Sequence, residues 1–292
     1  MEKDLQIHQH TKLGYDVKNI LFPTDFSANA LSAFEAALFI AERFQANIHL
    51  YHAYHYASTG EFYLVPELIE EINTTLREQA LNEFQVYEQK ARESLGNKAG
   101  LAFHTDSDFA VDGITRMAQE VNADLIMMGT EGAEGFIDKW LGSVSSQVAE
   151  KVDVPLMVLP KSFQKRSFIN MVYATNFEEA ESEIPPITLQ FQKALQVPLT
   201  CVHIRPLKDQ REGSYQDQLT QIKNLTAKEG IPFQILHGMS PWQGIQSFVK
   251  EKNVDLLVMY THHHSLREKI WEGSLSRKAV QELDIPMLIL HA

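Results

Sequence analysis

A glycine-spaced loop near the middle of the chain has the residue types needed to bind an anion. The segment GTEGAEGFIDKWLGS, which begins at Gly129, has the spacing G-x2-G-x9-G-S, with Gly132 and Gly142-Ser143 at its fixed positions. Glycine lets the backbone adopt a positive φ and approach a ligand without a Cβ in the way. A helix expected over 144–152 would direct its first N–H groups and its dipole at the anion. Hydroxyl donors at the same place are Ser143 and Ser145.

The same glycines have an ordinary structural interpretation as turn and helix-cap residues. Three fixed glycines followed by a hydroxyl residue arise by chance in such a chain on the order of 1% of the time. The position of the loop, directly after a predicted fourth strand, favours the binding interpretation.

Two glutamates make this loop acidic. Glu131 and Glu134 lie between the glycines, and a carboxylate about 4 Å from a phosphate costs roughly 1 kcal/mol in water and several times more in a partly buried site. Three arrangements would relieve that cost. The glutamates could point outward, Lys139 could offset them, or a divalent cation such as Mg²⁺ could bridge them to the phosphates.

The chain contains an internal repeat. A constant offset of 131 aligns the segment that begins at Gly113 with the one that begins at Gly244, without a gap. Fifteen of the 48 positions from 113 to 160 are identical at this offset, which is far beyond chance. At an offset of 151, KNILFPTDF from Lys18 matches INMVYATNF from Ile169. We therefore expect two domains, over 15–160 and 168–292, joined by a short basic linker.

The change of offset from 151 to 131 indicates about twenty extra residues between the second and third strands of the first copy. The stretch 66–95 is rich in Glu, Gln, Leu and Arg, which favour helices. We therefore expect the insertion to lie in a long helix there.

Each half alternates short apolar runs with amphipathic stretches, such as 27–44 and 113–121. Continuous apolar strands separated by helices predict a parallel sheet covered on both faces. Ligands of such sheets bind beyond the carboxyl ends of the strands, so the loops after Phe22 and Met128 are the expected site. The strands predicted in the first copy are 19–22, 48–52, 101–103, 125–128 and 156–159.

On these residues the chain resembles the universal stress protein family, in a tandem two-domain form. The similarity spans about Val17 to Leu290 and rests on the G-x2-G-x9-G-[ST] loop, an Asp after the first strand, and five parallel-type strands per domain. It implies an α/β fold with two tandem five-stranded parallel-sheet domains, Rossmann-like and similar to adenine nucleotide alpha hydrolases. It also implies ATP or AMP binding in some members and none in others.

The resemblance further implies which residues would bind the nucleotide. Asp25 would contact the adenine or ribose with Pro23 and Thr24 beside it, and Ala53 and Met128 would line the adenine. The dinucleotide fingerprint and the P-loop are absent, so neither an ordinary NAD enzyme nor a P-loop ATPase fits. Residues implied for the ribose and phosphates are Gly129, Gly132, Gly142, Ser143, Val144 and Ser145.

The second copy lacks most of this arrangement. Tyr260 and His263 stand where the first copy has its two loop glycines, and each brings a side chain to a place of close backbone approach. Asn176 replaces Asp25. Pro185-Pro186 aligns with residues in the middle of the first copy's helix, so the corresponding helix of the second copy must start late. We therefore expect no ATP binding of this kind in the second copy.

Other candidate residues in the sequence have weaker support for a functional role. Gly273-Ser274 survives in the second copy and could hold a smaller anion. His262–His264 are adjacent loop residues that point in different directions, so they are not expected to ligate one metal ion. Cys201 lies in an apolar strand and is expected to be buried and inert. Histidines expected as core or loop residues are His49, His52 and His55.

No catalytic arrangement is supported by the sequence, although Asp25 could orient a water for slow ATP hydrolysis. Three hypotheses remain open. The first is a nucleotide-binding stress regulator whose occupancy is read by a protein partner. The second is a nucleotide-independent interaction scaffold of the same fold. The third is a hydrolase or metal enzyme that uses the histidine cluster.

Composition limits the partners and the compartment. A net charge of −12 argues against a general nucleic-acid partner. No run of eighteen apolar residues predicts a membrane span, and the N-terminus lacks the apolar core of a signal peptide. With one cysteine, these features predict a cytoplasmic protein. The strands at 155–159 and 286–290 are open sheet edges that the resemblance predicts to pair in an intramolecular pseudo-dimer, and a homodimer of chains is also open.

Overall fold

The computed structural model describes most of both copies. By its internal contacts the chain divides into two compact units, Val17–Arg166 and Ser167–Ala292, and the residues up to Asp16 are grouped with the second. The residues that the structure describes are 15–54, 66–96, 100–129, 143–161, 163, 167–175, 183–206, 213–238, 241–261 and 285–291.

The first unit is a five-stranded parallel sheet with helices between its strands. The strand order is β3-β2-β1-β4-β5, and every neighbouring pair is parallel. The strands are β1 (Asn19–Pro23), β2 (Asn47–Tyr54), β3 (Leu101–Ser107), β4 (Leu125–Gly129) and β5 (Leu156–Leu159). The helices are α1 (Ala28–Phe44), α2 (Pro66–Leu95), α3 (Ala110–Glu120) and α4 (Ser143–Lys151).

The central strands of this unit are buried on both faces. Positions Ile20–Pro23 of β1, Leu125–Met128 of β4 and the whole of β5 are buried. Their apolar residues run continuously instead of alternating with polar ones, because helices cover both sides of a parallel sheet. The predicted strands therefore coincide with the observed ones, apart from extensions at their ends.

Helix α1 shows how the local sequence sets the element bounds. Ser27 is its N-cap, and the Ser27 side chain accepts a hydrogen bond from the Ala30 N–H. Gln45 ends the helix in the left-handed conformation, with φ of 55°. The helix buries one face of alanine and larger apolar residues, including Phe34, against the sheet.

The second unit repeats the same architecture. Its strand order is β10-β9-β6-β7-β8, with all neighbours parallel. The predicted fold class, two tandem α/β units with parallel sheets, is confirmed. The strands are β6 (Met171–Thr175), β7 (Leu199–Pro206), β8 (Phe233–Gly238), β9 (Leu256–Thr261) and β10 (Met287–His291). The described helices are α5 (Pro186–Leu195), α6 (Gly213–Lys228) and α7 (Pro241–Glu251).

Two predicted differences between the copies are also confirmed. Helix α2 has 30 residues and the corresponding α6 has 16, so the insertion lies largely in that helix. Helix α5 begins at Pro186, with Pro185 as its N-cap, and spans 10 residues against 17 in α1. Proline is tolerated at the first position of a helix but not in its interior, so these two prolines explain the late start.

A repeated aspartate ties the strands together at their amino ends in both units. Asp124 Oδ2 accepts hydrogen bonds from the N–H groups of Lys18 and Asn19, at 2.8 and 2.9 Å. Asp255 is 3% exposed and accepts from the N–H groups of Ile169 and Asn170, at distances from 2.8 to 3.0 Å. The identity of these aspartates in the repeat thus has a structural reason.

None of the helices in the described part of the chain combines the length and the apolar character needed to cross a membrane.

Candidate functional site

The candidate site lies where the strand order of the first unit reverses. β1 pairs with β2 on one side and with β4 on the other, through pairs such as Pro23↔Tyr51 and Leu21↔Ile126. A crevice between the carboxyl ends of β1 and β4 is the place where ligands of such sheets bind. Of the predicted site residues, Pro23 ends β1, Met128 and Gly129 end β4, and Ala53 lies near the end of the neighbouring β2.

Thr24, the first residue after β1, is the centre of a buried hydrogen-bond network. Its N–H donates to the Tyr51 carbonyl, and its own carbonyl accepts from His52 Nδ1, each at 2.8 Å. Its Oγ1 accepts from the Phe26 N–H at 3.0 Å and shares a 2.7 Å hydrogen bond with the Tyr87 hydroxyl. These bonds occupy the polar groups of Thr24, so its contribution to the site is to fix the turn that follows β1.

That turn presents the carboxylate of Asp25. The Asp25 side chain is exposed, and its Oδ1 accepts the Ser27 N–H at 3.0 Å. Phe26 has a φ of 60°, a conformation that few residues other than glycine adopt. The Thr24 hydroxyl and the Asp25 carboxylate hold this turn from both sides, and a carboxylate placed there can accept hydrogen bonds from sugar hydroxyls.

The side chains of His52 and Tyr87, which were not predicted as site residues, support the turn through the Phe26 ring. The Phe26 ring lies 4.4 Å from the His52 ring and 5.9 Å from the Tyr87 ring, measured between centroids. Burial lowers the pKa of His52, against the opposing effects of its bond to Thr24 and the charge of Asp25. Burial also raises the pKa of Tyr87 to about 12, so both side chains are neutral near pH 7. The identity of His52 with His203 in the repeat was the one available sequence signal.

Gly129, at the end of β4, does not use the backbone freedom that glycine provides. Its φ is not positive, because the residue still belongs to the strand and pairs with Leu159. A Cβ added there would lie 3.5 Å from the Ala33 Cβ and 3.8 Å from the Asn29 carbonyl, which are ordinary contacts. Packing against the described residues therefore does not require glycine at this position, and close approach by a ligand remains a reason for it. Met128 beside it is 7% exposed.

Helix α4 begins at Ser143, directly after the glycine-spaced loop. Ser145 in its first turn is 2% exposed and Val144 is half-buried. The first turn of a helix directs backbone N–H groups and the positive end of the helix dipole towards its N-terminus, which favours an anion. The predicted residues Gly132 and Gly142, together with Glu131, Glu134 and Lys139, lie outside the described residues.

Comparison with known proteins identifies the family. The sequence model of the Universal stress protein family matches residues 16–160 and 187–291. The chain belongs to this family. It is 30% identical over 151 residues to a universal stress protein of Methanocaldococcus jannaschii, covering 49% of this chain and 82% of that protein. It is 28% identical over 142 residues to a universal stress protein of Bacillus subtilis, covering 47% of this chain and 92% of that one.

A solved structure supports the fold along nearly all of the chain. The crystal structure of a universal stress protein from Archaeoglobus fulgidus matches with a TM-score of 0.69 and 21% identity. The match covers 95% of this chain and 97% of the other. At that identity the likeness concerns the fold.

The second copy of this universal stress protein retains part of the network described for the first. His203 Nδ1 donates to the Thr175 carbonyl at 3.1 Å, as His52 does to Thr24. Tyr260 in β9 pairs with Leu290, just as Gly129 pairs with Leu159, so the substitution of glycine by tyrosine falls at the same strand end. Asn176, His262–His264 and Gly273-Ser274 lie outside the described residues.

The other histidines that the structure describes, and the cysteine, fall within strands. His49 and His104 share a 3.0 Å hydrogen bond between Nδ1 and Nε2, across β2 and β3. Cys201 in β7 is buried, as predicted. Among the described residues, no three His, Cys, Asp or Glu side chains come together in a way that could hold a metal ion. His55 lies outside those residues.

Proposed function

We propose that the first copy of this universal stress protein binds ATP or AMP and that the chain acts as a cytoplasmic stress-response regulator. The observation that carries the proposal is the arrangement at the reversal point of the first sheet. There the Asp25 carboxylate, the end of β4 and the start of α4 belong to neighbouring elements. A carboxylate suits the ribose hydroxyls, and a helix N-terminus suits a phosphate.

The residues present fit a nucleotide in three respects. Gly129 has no packing reason in the described structure to lack a Cβ. Met128 supplies a buried apolar surface beside it, and Ser145 lies buried in the first turn of α4. The domain limits 15–160 and 168–292 belong to the same proposal, with one nucleotide-binding copy and one that serves as its built-in partner in a pseudo-dimer.

The nucleotide would bring its own charge and its phosphate bonds, and this chain would hold and orient it. Asp25 would contact the adenine or ribose, with Pro23 and Thr24 beside it. Ala53 and Met128 would line the base. The phosphate end would be held by Gly129, Gly132, Gly142, Ser143, Val144 and Ser145.

A pair of glycine substitutions tests the proposal. Gly129→Tyr introduces the residue that the second copy has at this strand end, and it should abolish ATP binding because the side chain fills the place of the ligand. Gly273→Ala in the second copy should leave the affinity unchanged. Isothermal titration with ATP and with AMP, with and without Mg²⁺, gives the measurement, and thermal unfolding checks that both variants fold.

Nucleotide extraction from freshly purified protein separates this function from its alternative. Protein that carries no nucleotide and binds neither ATP nor AMP would instead be a nucleotide-independent scaffold. Equal losses of affinity in both glycine variants would contradict the assignment of binding to the first copy.

A further inference from the structure

The long helix α2 reaches the candidate nucleotide site through one side chain. Tyr87 is 2% exposed, and its hydroxyl lies 2.7 Å from Thr24 Oγ1. Its ring also packs 4.9 Å from the ring of Phe34, measured between centroids. The contact joins residues 63 positions apart in the chain. It connects the helix that contains the insertion with the turn that presents Asp25.

The Thr24 hydroxyl transmits this contact to the backbone. The same Oγ1 accepts the N–H of Phe26, whose φ of 60° is a strained conformation for a non-glycine residue. The Phe26 ring then lies against the His52 ring, and His52 donates back to the Thr24 carbonyl. A bond from Tyr87 thus restrains the conformation of the turn from outside the sheet.

We propose that Tyr87 is a positioning residue that couples nucleotide occupancy to α2. By holding the Thr24–Phe26 turn, the Tyr87 hydroxyl keeps the Asp25 carboxylate in the orientation that receives the nucleotide. Coupling between two places in a protein is reciprocal, so a nucleotide that fixes this turn must also stabilise the part of α2 around Tyr87. The inference rests on the proposed function.

The feature occurs in the copy that retains the loop glycines. The corresponding helix of the second unit, α6, is 14 residues shorter (16 against 30 residues), and that unit has lost the glycine at the end of its fourth strand. The long helix and the candidate site therefore belong to the same half of the chain.

Tyr87→Phe in the full-length chain tests the inference, because it removes one oxygen and leaves the ring packing in place. Its ATP dissociation constant should rise about three- to tenfold, the effect of losing one hydrogen bond that preorganises the site. In the wild type, ATP should slow backbone hydrogen exchange over residues 80–91 of α2. In Tyr87→Phe this ATP-dependent difference should be lost.

Thr75→Ala is the matched control. The Thr75 hydroxyl belongs to the same helix and, among the described residues, bonds within that helix, donating to the Glu71 carbonyl at 2.9 Å. Its removal should leave both the ATP affinity and the ATP-dependent exchange difference at their wild-type values.

A double-mutant cycle assigns the effect to the bond itself. In a Thr24→Val background the bond is already absent, so Tyr87→Phe should cause no further loss of affinity. Additive losses would overturn the inference. So would faster exchange in α2 by the same amount with and without ATP, which is the result expected of a merely structural tyrosine.

The wild type separates the two proposals. Failure of the wild type to bind ATP or AMP would overturn the proposed function and this inference with it. Normal ATP binding by both proteins, with the same exchange difference in α2, would overturn this inference alone.

Discussion

The histidines show how much a side chain's neighbours decide its role. His49 and His104 share a hydrogen bond between two ring nitrogens, and one of these must accept, so at least one imidazole is neutral. The rings stack at an interplanar angle of 23°. Burial lowers the pKa of both histidines. The charge of His104 lowers the pKa of His49 further, whereas the charge of Glu120 acts to raise the pKa of His104.

These lowered pKa values predict a loss of stability in acid. Below the ordinary histidine pKa, near 6.5, the unfolded chain binds protons that the folded pair resists, so stability falls as the pH falls. The unfolding temperature should therefore be lower at about pH 5 than near neutrality. In His104→Gln this difference should shrink, as measured by calorimetry at both pH values. An unchanged difference would show that the pair does not titrate as described.

The helices and strands could be predicted from the sequence more fully than the packing contacts between them. The continuous apolar runs predicted the strands, and the composition of 66–95 predicted α2 with its observed bounds. The sequence also showed that Gly113 and Gly244 are repeated, but not why glycine is needed at these two positions. A Cβ at Gly113 would lie 2.0 Å from the Tyr51 hydroxyl, and one at Gly244 would lie 2.8 Å from Ile204 Cγ2. In both units glycine lets a helix approach the sheet.

Gly113→Ala should accordingly destabilise the first unit by about 1–3 kcal/mol, the usual cost of overpacking. The Tyr51 hydroxyl cannot simply move away, because it donates to Asp106 Oδ1 at 2.6 Å. Adding Tyr51→Phe should restore part of the loss. Urea unfolding followed by circular dichroism measures both changes. Gly129→Ala is the control and should change stability by less than about 0.5 kcal/mol, since its Cβ has ordinary contacts.

The candidate site was only partly predictable, for physical reasons. The strand ends follow from the periodicity of the sequence, whereas Asp25 was implied by the family resemblance. Tyr87 follows from neither, since its place beside Thr24 depends on how α2 packs on the sheet. Gly129 could adopt a positive φ but does not, because strand pairing with Leu159 extends through that residue. The positive φ occurs at Phe26 instead, where side-chain hydrogen bonds outweigh the residue's own preference.

At the scale of the whole molecule, the two units share their scaffold and differ at their strand ends. Both have an aspartate just before the fourth strand, a left-handed glutamine after the first helix, and a histidine bonded to a threonine at the end of the first strand. They differ at the end of the fourth strand, where glycine is replaced by tyrosine, and in the length of two helices.

This asymmetry predicts a stoichiometry of one nucleotide per chain. Isothermal titration of the full-length protein should give one ATP or AMP bound per polypeptide, because only the first copy has both loop glycines. Tyr260→Gly should not create a second site, since His263 and Asn176 still differ from the first copy. Two nucleotides bound per wild-type chain would contradict the prediction.

The paired aspartates, Asp124 and Asp255, have a consequence for how such duplicated chains diverge. Each anchors its sheet at the amino ends of the strands, whereas the loops that differ leave from the carboxyl ends. The structural aspartates and the loops that differ between the copies thus lie at opposite ends of each sheet. After duplication, one copy could exchange its loops without disturbing its own assembly. The same separation makes the second unit a ready recipient for a transplanted loop.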